Sequence, residues 1–296
     1  LPSPNMNLLE KLIWGIGLLT NPRGIGTSWE IKHVPPFSRK NPAYVPTRIS
    51  FLVSRTLNCI FFVALSTASQ HIDQVYYWPS LRDGEYSPDR ERLIRRLANV
   101  DIYEILVRLY LPLQTKVPTY SDLSAAHAAI SVIAVFCGDE PAHWPPLFGS
   151  PADAYSLRRF YASFWQLTFR KAFVAHASFF THKLLRVSRI TRLSRGLITI
   201  CVFAISAGMH SLSTKLGGNA CEVGPVLHWY CLVVAGILLE DCFHIIWQVC
   251  EKRIFKTTDS VKKDWQYVVG YIWVWVFFAW SLPKLLYRNF GCMVAD

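Results

Sequence analysis

The sequence predicts an all-α fold: a polytopic bundle of transmembrane helices with amphipathic helices lying at the interface. Three observations lead there. Apolar residue types make up 52% of the 296 residues and charged types 17%, where ordinary soluble domains carry roughly 25% charge. Aromatic residues reach 14%, with 11 Trp, and such rings collect where lipid meets water. Near the carboxyl end, three apolar runs each reach the length of about 20 residues that a helix needs to cross a hydrocarbon core. The same figures exclude a disordered chain, a collagen-like chain and a coiled coil.

In chain order, residues 49–68 form an apolar run interrupted by Arg55, and 79–97 (PSLRDGEYSPDRERLIRRL) is the most water-like stretch, a candidate linker. Residues 101–113 (DIYEILVRLYLPL) are short and charged, which suits an interfacial segment or one packed inside the bundle. Residues 122–137 are Ala-rich and barely long enough to span. Residues 157–185 mix many aromatics with Arg158, Arg159, Arg170, Lys171 and Lys183, the pattern of an amphipathic helix along the membrane or lining a cavity. The three firm spans follow. Residues 196–213 contain no Asp, Glu, Lys or Arg; 225–248 carry Glu240, Asp241 and two histidines; 266–287 are dense in Trp, with Pro283 as a late kink. No repeat or low-complexity tract divides the chain, so 1–296 reads as one membrane-embedded domain.

The formal charge of +11 is assigned to loops facing an anionic leaflet, because no nucleic-acid-binding motif accompanies it. Lys183, Arg186, Arg189, Arg192 and Arg195 precede the first firm span. Lys252, Arg253, Lys256, Lys262 and Lys263 follow the second, and 214–224 hold Lys215 as their one cation. The positive-inside rule therefore puts 183–195 and 249–265 in the cytoplasm and 214–224 on the far side. The eight cysteines contain no C-x-x-C pair, which predicts buried thiols rather than a disulfide framework or a zinc ribbon.

An ionisable group inside a span is a functional candidate. His210 is the best of these: a neutral imidazole accepts a proton near pH 7, as an alcohol attacking an activated acyl group requires. With the helix starting near Gly196, it lies about 21 Å along, past the midplane. Ser206 shares its face one turn earlier, and Gly208 leaves room beside it. The alternative is a helix-packing histidine satisfied by a neighbour.

A second candidate region is Trp144 to Pro151 (WPPLFGSP), a stiff turn, followed by Ser156 to Trp165 (SLRRFYASFW), a helix start with an aromatic and cationic face. Together with His210 further on, and with Arg23-Gly24-Ile25-Gly26-Thr27-Ser28-Trp29-Glu30 before them, the chain resembles the wax synthase-like branch of the membrane-bound O-acyltransferase superfamily. The resemblance runs from roughly residue 20 to 290. It implies a multi-pass protein of the endoplasmic reticulum that takes acetyl-CoA, or a longer acyl-CoA, as donor. The implied acceptor is a hydrophobic, terpenoid-like alcohol of secondary metabolism. It also implies His210 as general base, with Gln166 where the family commonly has Asn or Asp, an amide that positions the donor or a developing oxyanion. Arg158, Arg159, Trp165, Arg170 and Lys171 become candidates for holding the donor; lipid headgroups are the other partners for these cations. Relatives of that branch are usually longer, so one or two early helices are expected outside this sequence.

Glu240 and His244, one turn apart, have metal-ligand chemistry, but no companion histidine boxes support a metal, and hydrogen bonding or substrate contact is the preferred reading. Gly24-Ile25-Gly26 lacks the third glycine and the strand-helix context of a dinucleotide site. No G-x-S-x-G elbow and no H-x-x-x-D pair occurs, which disfavours soluble hydrolases and soluble acyltransferases. Two rivals stand beside the acyltransferase: a membrane terpene cyclase protonating its substrate through Glu240 and Asp241, and a non-enzymatic transporter or scaffold.

Overall fold

The computed structural model describes residues 7–12, 15, 21–165, 167–218, 223–250 and 264–293. Among these there are helices and turns and no strands. Seven helices carry labels here: α1 Arg48–Ile72, α2 Ile102–Phe136, α3 Arg170–Phe179, α4 Arg192–Leu216, α5 Val223–Cys250, α6 Asp264–Ser281 and α7 Pro283–Met293. A π-helical turn, Asp73–Tyr77, prolongs α1. Among the described residues, five helical stretches are long and apolar enough to cross a membrane: Arg48–Ser80, Ile102–Phe136, Arg192–Leu216, Val223–Cys250 and Trp265–Arg288.

Large apolar side chains such as Ile49, Val53, Leu57, Ile60 and Phe61 on α1 stand exposed, as do Ile130, Ile133 and Phe136 on α2. Contiguous apolar surface on that scale is unusual in water, whereas in lipid these faces meet acyl chains. The core gathers on the inner faces. Leu111, Leu157, Phe160, Trp229, Val233, Ile237, Phe277, Phe278 and Leu282 pack together from α2, α5, α6 and the segment between α2 and α3.

The amino-terminal half differs from the sequence expectation. Residues 101–113 and 122–137 are not separate pieces: α2 runs unbroken through Pro112 and Pro118. The Thr115 hydroxyl donates to the Leu111 carbonyl at 2.9 Å, and the Thr119 hydroxyl to the Thr115 carbonyl at 2.8 Å. Hydroxyls of this kind are among the devices by which a membrane helix tolerates proline. The stretch 79–97 packs against the bundle: Glu85 and Glu91 are buried, Glu91 accepts from Arg288 of α7 at 2.6 Å, and Arg96 pairs with buried Glu104 of α2.

Residues 157–185 do not form one amphipathic helix. A single turn, Leu157–Arg159, and a π-helical turn, Phe160–Phe164, make a hook between α5 and α6; an extended Trp165 ends it before α3 begins. Near the carboxyl end the three firm spans are present as α4, α5 and α6. Thr191 caps α4, so this helix starts at Arg192 rather than near Gly196. Pro283 does not kink a helix but opens a new one, at the first position where its missing N–H costs nothing. Cys137, Cys231, Cys242 and Cys250 are free thiols on exposed helix faces, against the expectation of buried ones. Much of the basic loop 249–265 lies outside the described residues.

Candidate functional site

The turn at 144–151 is held from several directions. Arg23, buried, donates from Nη1 to the Pro146 carbonyl at 2.7 Å and from Nη2 to the Pro145 carbonyl at 2.9 Å. Burial, helped by neighbouring Arg55, lowers the Arg23 guanidinium to about 10, and two carbonyl acceptors meet its need for partners. Arg55 donates to the Trp144 carbonyl at 3.0 Å. The Gly149 N–H donates to the Phe164 carbonyl at 2.8 Å, and a Cβ at Gly149 would run into the Ser163 carbonyl. The residue after Phe148 is therefore glycine because the turn touches the backbone of the hook.

The hook itself hangs from α5. The Leu157 N–H donates to Glu240 Oε1 at 2.6 Å, the Arg158 N–H to Oε2 at 3.1 Å, and the Trp273 indole N–H to Oε1 at 2.7 Å. Gly236 gives the hook its close approach: a Cβ there would lie 2.7 Å from Leu157 and 2.6 Å from Phe277. Irregular backbone among spanning helices needs polar partners, and Glu240 supplies them. Asp241 is occupied as well, in a two-bond pair with the Arg158 guanidinium. The carboxylates on which a cyclase would rely are thus committed to the hook.

From Glu240 the hook descends into the bundle. Phe160 stacks on Trp165 with centroids 5.4 Å apart and packs edge-on against Phe278 at 5.0 Å. His210 adjoins this aromatic group through Tyr230, whose ring lies 5.2 Å from Trp229. It lies about 27 Å along α4, roughly two turns before the helix ends. Its ring stacks on Tyr230 of α5 at 5.5 Å and 26°, so it faces a neighbouring helix rather than lipid alone. The residue is nonetheless exposed, and among the described residues nothing hydrogen-bonds its ring nitrogens. Ser206 lies one turn earlier on the same helix face. Tyr161 of the hook meets Phe203 at 5.1 Å, and its buried hydroxyl has no partner among the described residues.

The sequence reading missed a cation in the aromatic cluster that adjoins this imidazole. Lys116 of α2 projects its ammonium to 5.2 Å from the Trp165 ring centroid, 5.1 Å from Trp229 and 5.4 Å from Phe278. Trp229 in turn lies 5.2 Å from the Tyr230 ring on which His210 stacks. A lone lysine in a span is itself a signal, but Gln114-Thr115-Lys116 between two prolines reads as a break, and the span was not recognised.

The candidate donor-binding cations are dispersed. Arg158 is tied to Asp241. Arg159 lies over Tyr155 at 4.6 Å and pairs with Asp153 at 3.1 Å. Arg170 donates to the Ala162 carbonyl at 2.6 Å; Lys171 contacts the Trp29 carbonyl and lies over the Trp29 ring at 4.6 Å. Arg159 has a further setting: with His33, Arg39, Phe148, Asp153 and Ser163 it lines a cavity of about 520 Å³ at the end of the bundle where α6 begins. Trp165 packs on Phe148 of that cavity at 5.3 Å and on its other side belongs to the wall around Lys116. Gln166 lies outside the described residues.

Comparison with known proteins bears on this arrangement. The profile of the membrane bound O-acyl transferase family matches residues 144–232, from the start of the proline turn to just beyond Tyr230. The acetyltransferase ataH of Aspergillus terreus is 31% identical over 274 residues, covering 90% of this chain and 85% of the relative. The chain belongs to the membrane bound O-acyl transferase family. Acetyltransferase TRI7 of Fusarium sporotrichioides is 28% identical, over 96% of this chain and 65% of its own length. Acetyltransferase aurG of Calcarisporium arbuscula is 25% identical, over 96% of this chain and 67% of its own. This O-acyltransferase-family chain thus spans about two thirds of the length of these last two relatives. No solved structure matches it.

Proposed function

We propose that the protein transfers an acyl group, acetyl in the first instance, from acyl-CoA to the hydroxyl of a hydrophobic, terpenoid-like alcohol in the membrane of the endoplasmic reticulum. The observation that carries this reading is His210: an accessible imidazole at membrane depth, oriented by Tyr230, with both nitrogens uncommitted among the described residues. Family membership and relatives that are named acetyltransferases support it.

In the reaction the alcohol proton passes to His210 as the alcohol oxygen bonds to the thioester carbonyl carbon. The carbonyl electron pair moves onto oxygen, then returns as the carbon–sulfur bond breaks. The CoA thiolate leaves and recovers the proton from the imidazolium. General-base help of this kind contributes on the order of 10²–10⁴-fold. The donor's phosphates would meet the Arg39 and Arg159 cavity, with its acyl arm reaching inward along the hook past Trp165. Arg158, Arg170 and Lys171 then serve mainly to fix the hook and α3, and the role of positioning the donor or the oxyanion falls to the Gln166 amide.

The test is mass spectrometry of microsomes containing the protein, supplied with acetyl-CoA and a panel of terpenoid alcohols. His210→Ala is expected to abolish ester formation at unchanged expression. Full turnover by that variant overturns the general-base role, and CoA-independent conversion of a polyene would point to cyclisation instead.

A further inference from the structure

Lys116 is the strongest feature that the general-base mechanism leaves unused. A charged side chain inside a span is costly and is normally paired with an opposite charge or with carbonyls. Among the described residues Lys116 has neither: its contacts are the faces of Trp165, Trp229 and Phe278. Aromatic faces attract a cation and hold it without neutralising it. Each ring is itself fixed. The Trp229 indole donates to Ser281 at 3.3 Å, while Trp165 and Phe278 both pack on Phe160. The ammonium is therefore confined, half-buried and still a donor of three hydrogen bonds.

Lys116 shares the imidazole's depth and is linked to it through the rings of Trp229 and Tyr230. His210 lies about 9 Å from the end of α4, Trp229 about 9 Å from the start of α5, and Phe278 close to the end of α6, at 1.5 Å per residue. A fixed donor in a water-poor site acts best on charge that develops during reaction, since it needs no reorganisation.

We propose that Lys116 is a catalytic residue that donates a hydrogen bond to the thioester carbonyl oxygen and stabilises the oxyanion formed when the alcohol attacks. The proposal rests on the acyl-transfer reading. The carbonyl electron pair settles on oxygen beside the ammonium while the alcohol proton goes to His210. Both revert as the ester forms and the thiol departs, so Lys116 keeps its proton throughout.

The test uses the full chain in detergent, with Lys116→Met, Lys116→Arg and His210→Ala. Methionine keeps the length and a favourable contact with the rings, so folding is expected to survive, and thermal unfolding verifies it. With acetyl-CoA and the best acceptor from the microsome panel, Lys116→Met should lower kcat by about 10²–10³-fold with little change in KM, the loss typical of one oxyanion donor. Lys116→Arg should recover part of it. A second readout needs no turnover: the infrared carbonyl stretch of acetonyl-CoA, a non-transferable ketone analogue, should move to lower frequency on binding wild type and His210→Ala but not Lys116→Met. An unchanged stretch together with full turnover in Lys116→Met overturns the proposal. Full turnover in His210→Ala, with the stretch still shifted, overturns the base and leaves Lys116 standing.

Discussion

Glu240→Gln separates a carboxylate that builds the hook from one that works on substrate. Oε1 accepts from both Leu157 N–H and the Trp273 indole, and Oε2 accepts from Arg158 N–H. A glutamine whose carbonyl takes the Oε1 place keeps two of these bonds in weaker, neutral form. Its NH₂ then faces the Arg158 N–H, donor against donor, so one bond is lost and a backbone group is left buried without a partner. At about 1–3 kcal/mol for an unsatisfied buried group, the expected loss is about 2 kcal/mol, and about 4 kcal/mol for Glu240→Ala, which strands all three donors. By the scaling of soluble chains, 2 kcal/mol corresponds to roughly 3 °C in Tm for a chain of this length. The assay is thermal unfolding of purified protein in detergent, followed by tryptophan fluorescence, beside acetyl transfer per folded molecule. Glu240→Gln should unfold earlier and keep most of its turnover below its Tm. A variant as stable as wild type but without turnover would refute the reasoning, because the carboxyl would then act on substrate.

Other outcomes follow from the same geometry. Arg159→Ala should raise KM for acetyl-CoA several-fold without lowering kcat, and the difference should shrink with added salt as exposed charges are screened. Arg158→Ala, whose partner is Asp241, should instead cost stability, by up to about 1 kcal/mol for a half-exposed pair, and leave KM in place; equal KM effects in the two variants would contradict this division. Gly149→Ala should collapse expression of folded protein, since its methyl meets the Ser163 carbonyl; normal size-exclusion behaviour would show that the turn and hook are not in contact. The Arg288 hydrogen bond holds the Glu91 carboxyl below its ordinary range. A depressed carboxyl contributes stability that is present above its unfolded pKa and lost as pH falls through the folded one. Tm should therefore drop more steeply between about pH 5 and pH 3 in wild type than in Glu91→Gln; parallel curves would exclude the linkage.

What the sequence made legible depended on whether polar residues interrupted the apolar pattern. The three spans after residue 190 are long runs, and His210 stands out in one of them. In α2 the run is broken by Pro112, Gln114, Thr115, Lys116 and Pro118, and a helix continues there because hydroxyls bond back to carbonyls of the preceding turn. Lys116 was hidden for that reason, although by the intramembrane-charge argument it ranks with His210. The hook was hidden for another. Its backbone is irregular where lipid-depth structure normally forbids irregularity, and the partner that makes it possible, Glu240, sits over 80 positions away in sequence. Intramembrane polar residues therefore have two origins, which sequence does not separate: some serve substrate, and some serve backbone that no longer hydrogen-bonds to itself. The coordinates separate them. Glu240 serves the hook's N–H groups, Asp241 serves Arg158, Arg55 serves the Trp144 carbonyl, and Arg23 the Pro145 and Pro146 carbonyls. Lys116 and His210 have no such duty among the described residues, are linked through the adjoining rings of Trp229 and Tyr230, and come from helices that the folded bundle brings to one depth. The acyl-transfer reading therefore places its chemistry on an imidazole and a cation that, among the described residues, make no hydrogen bond the fold depends on.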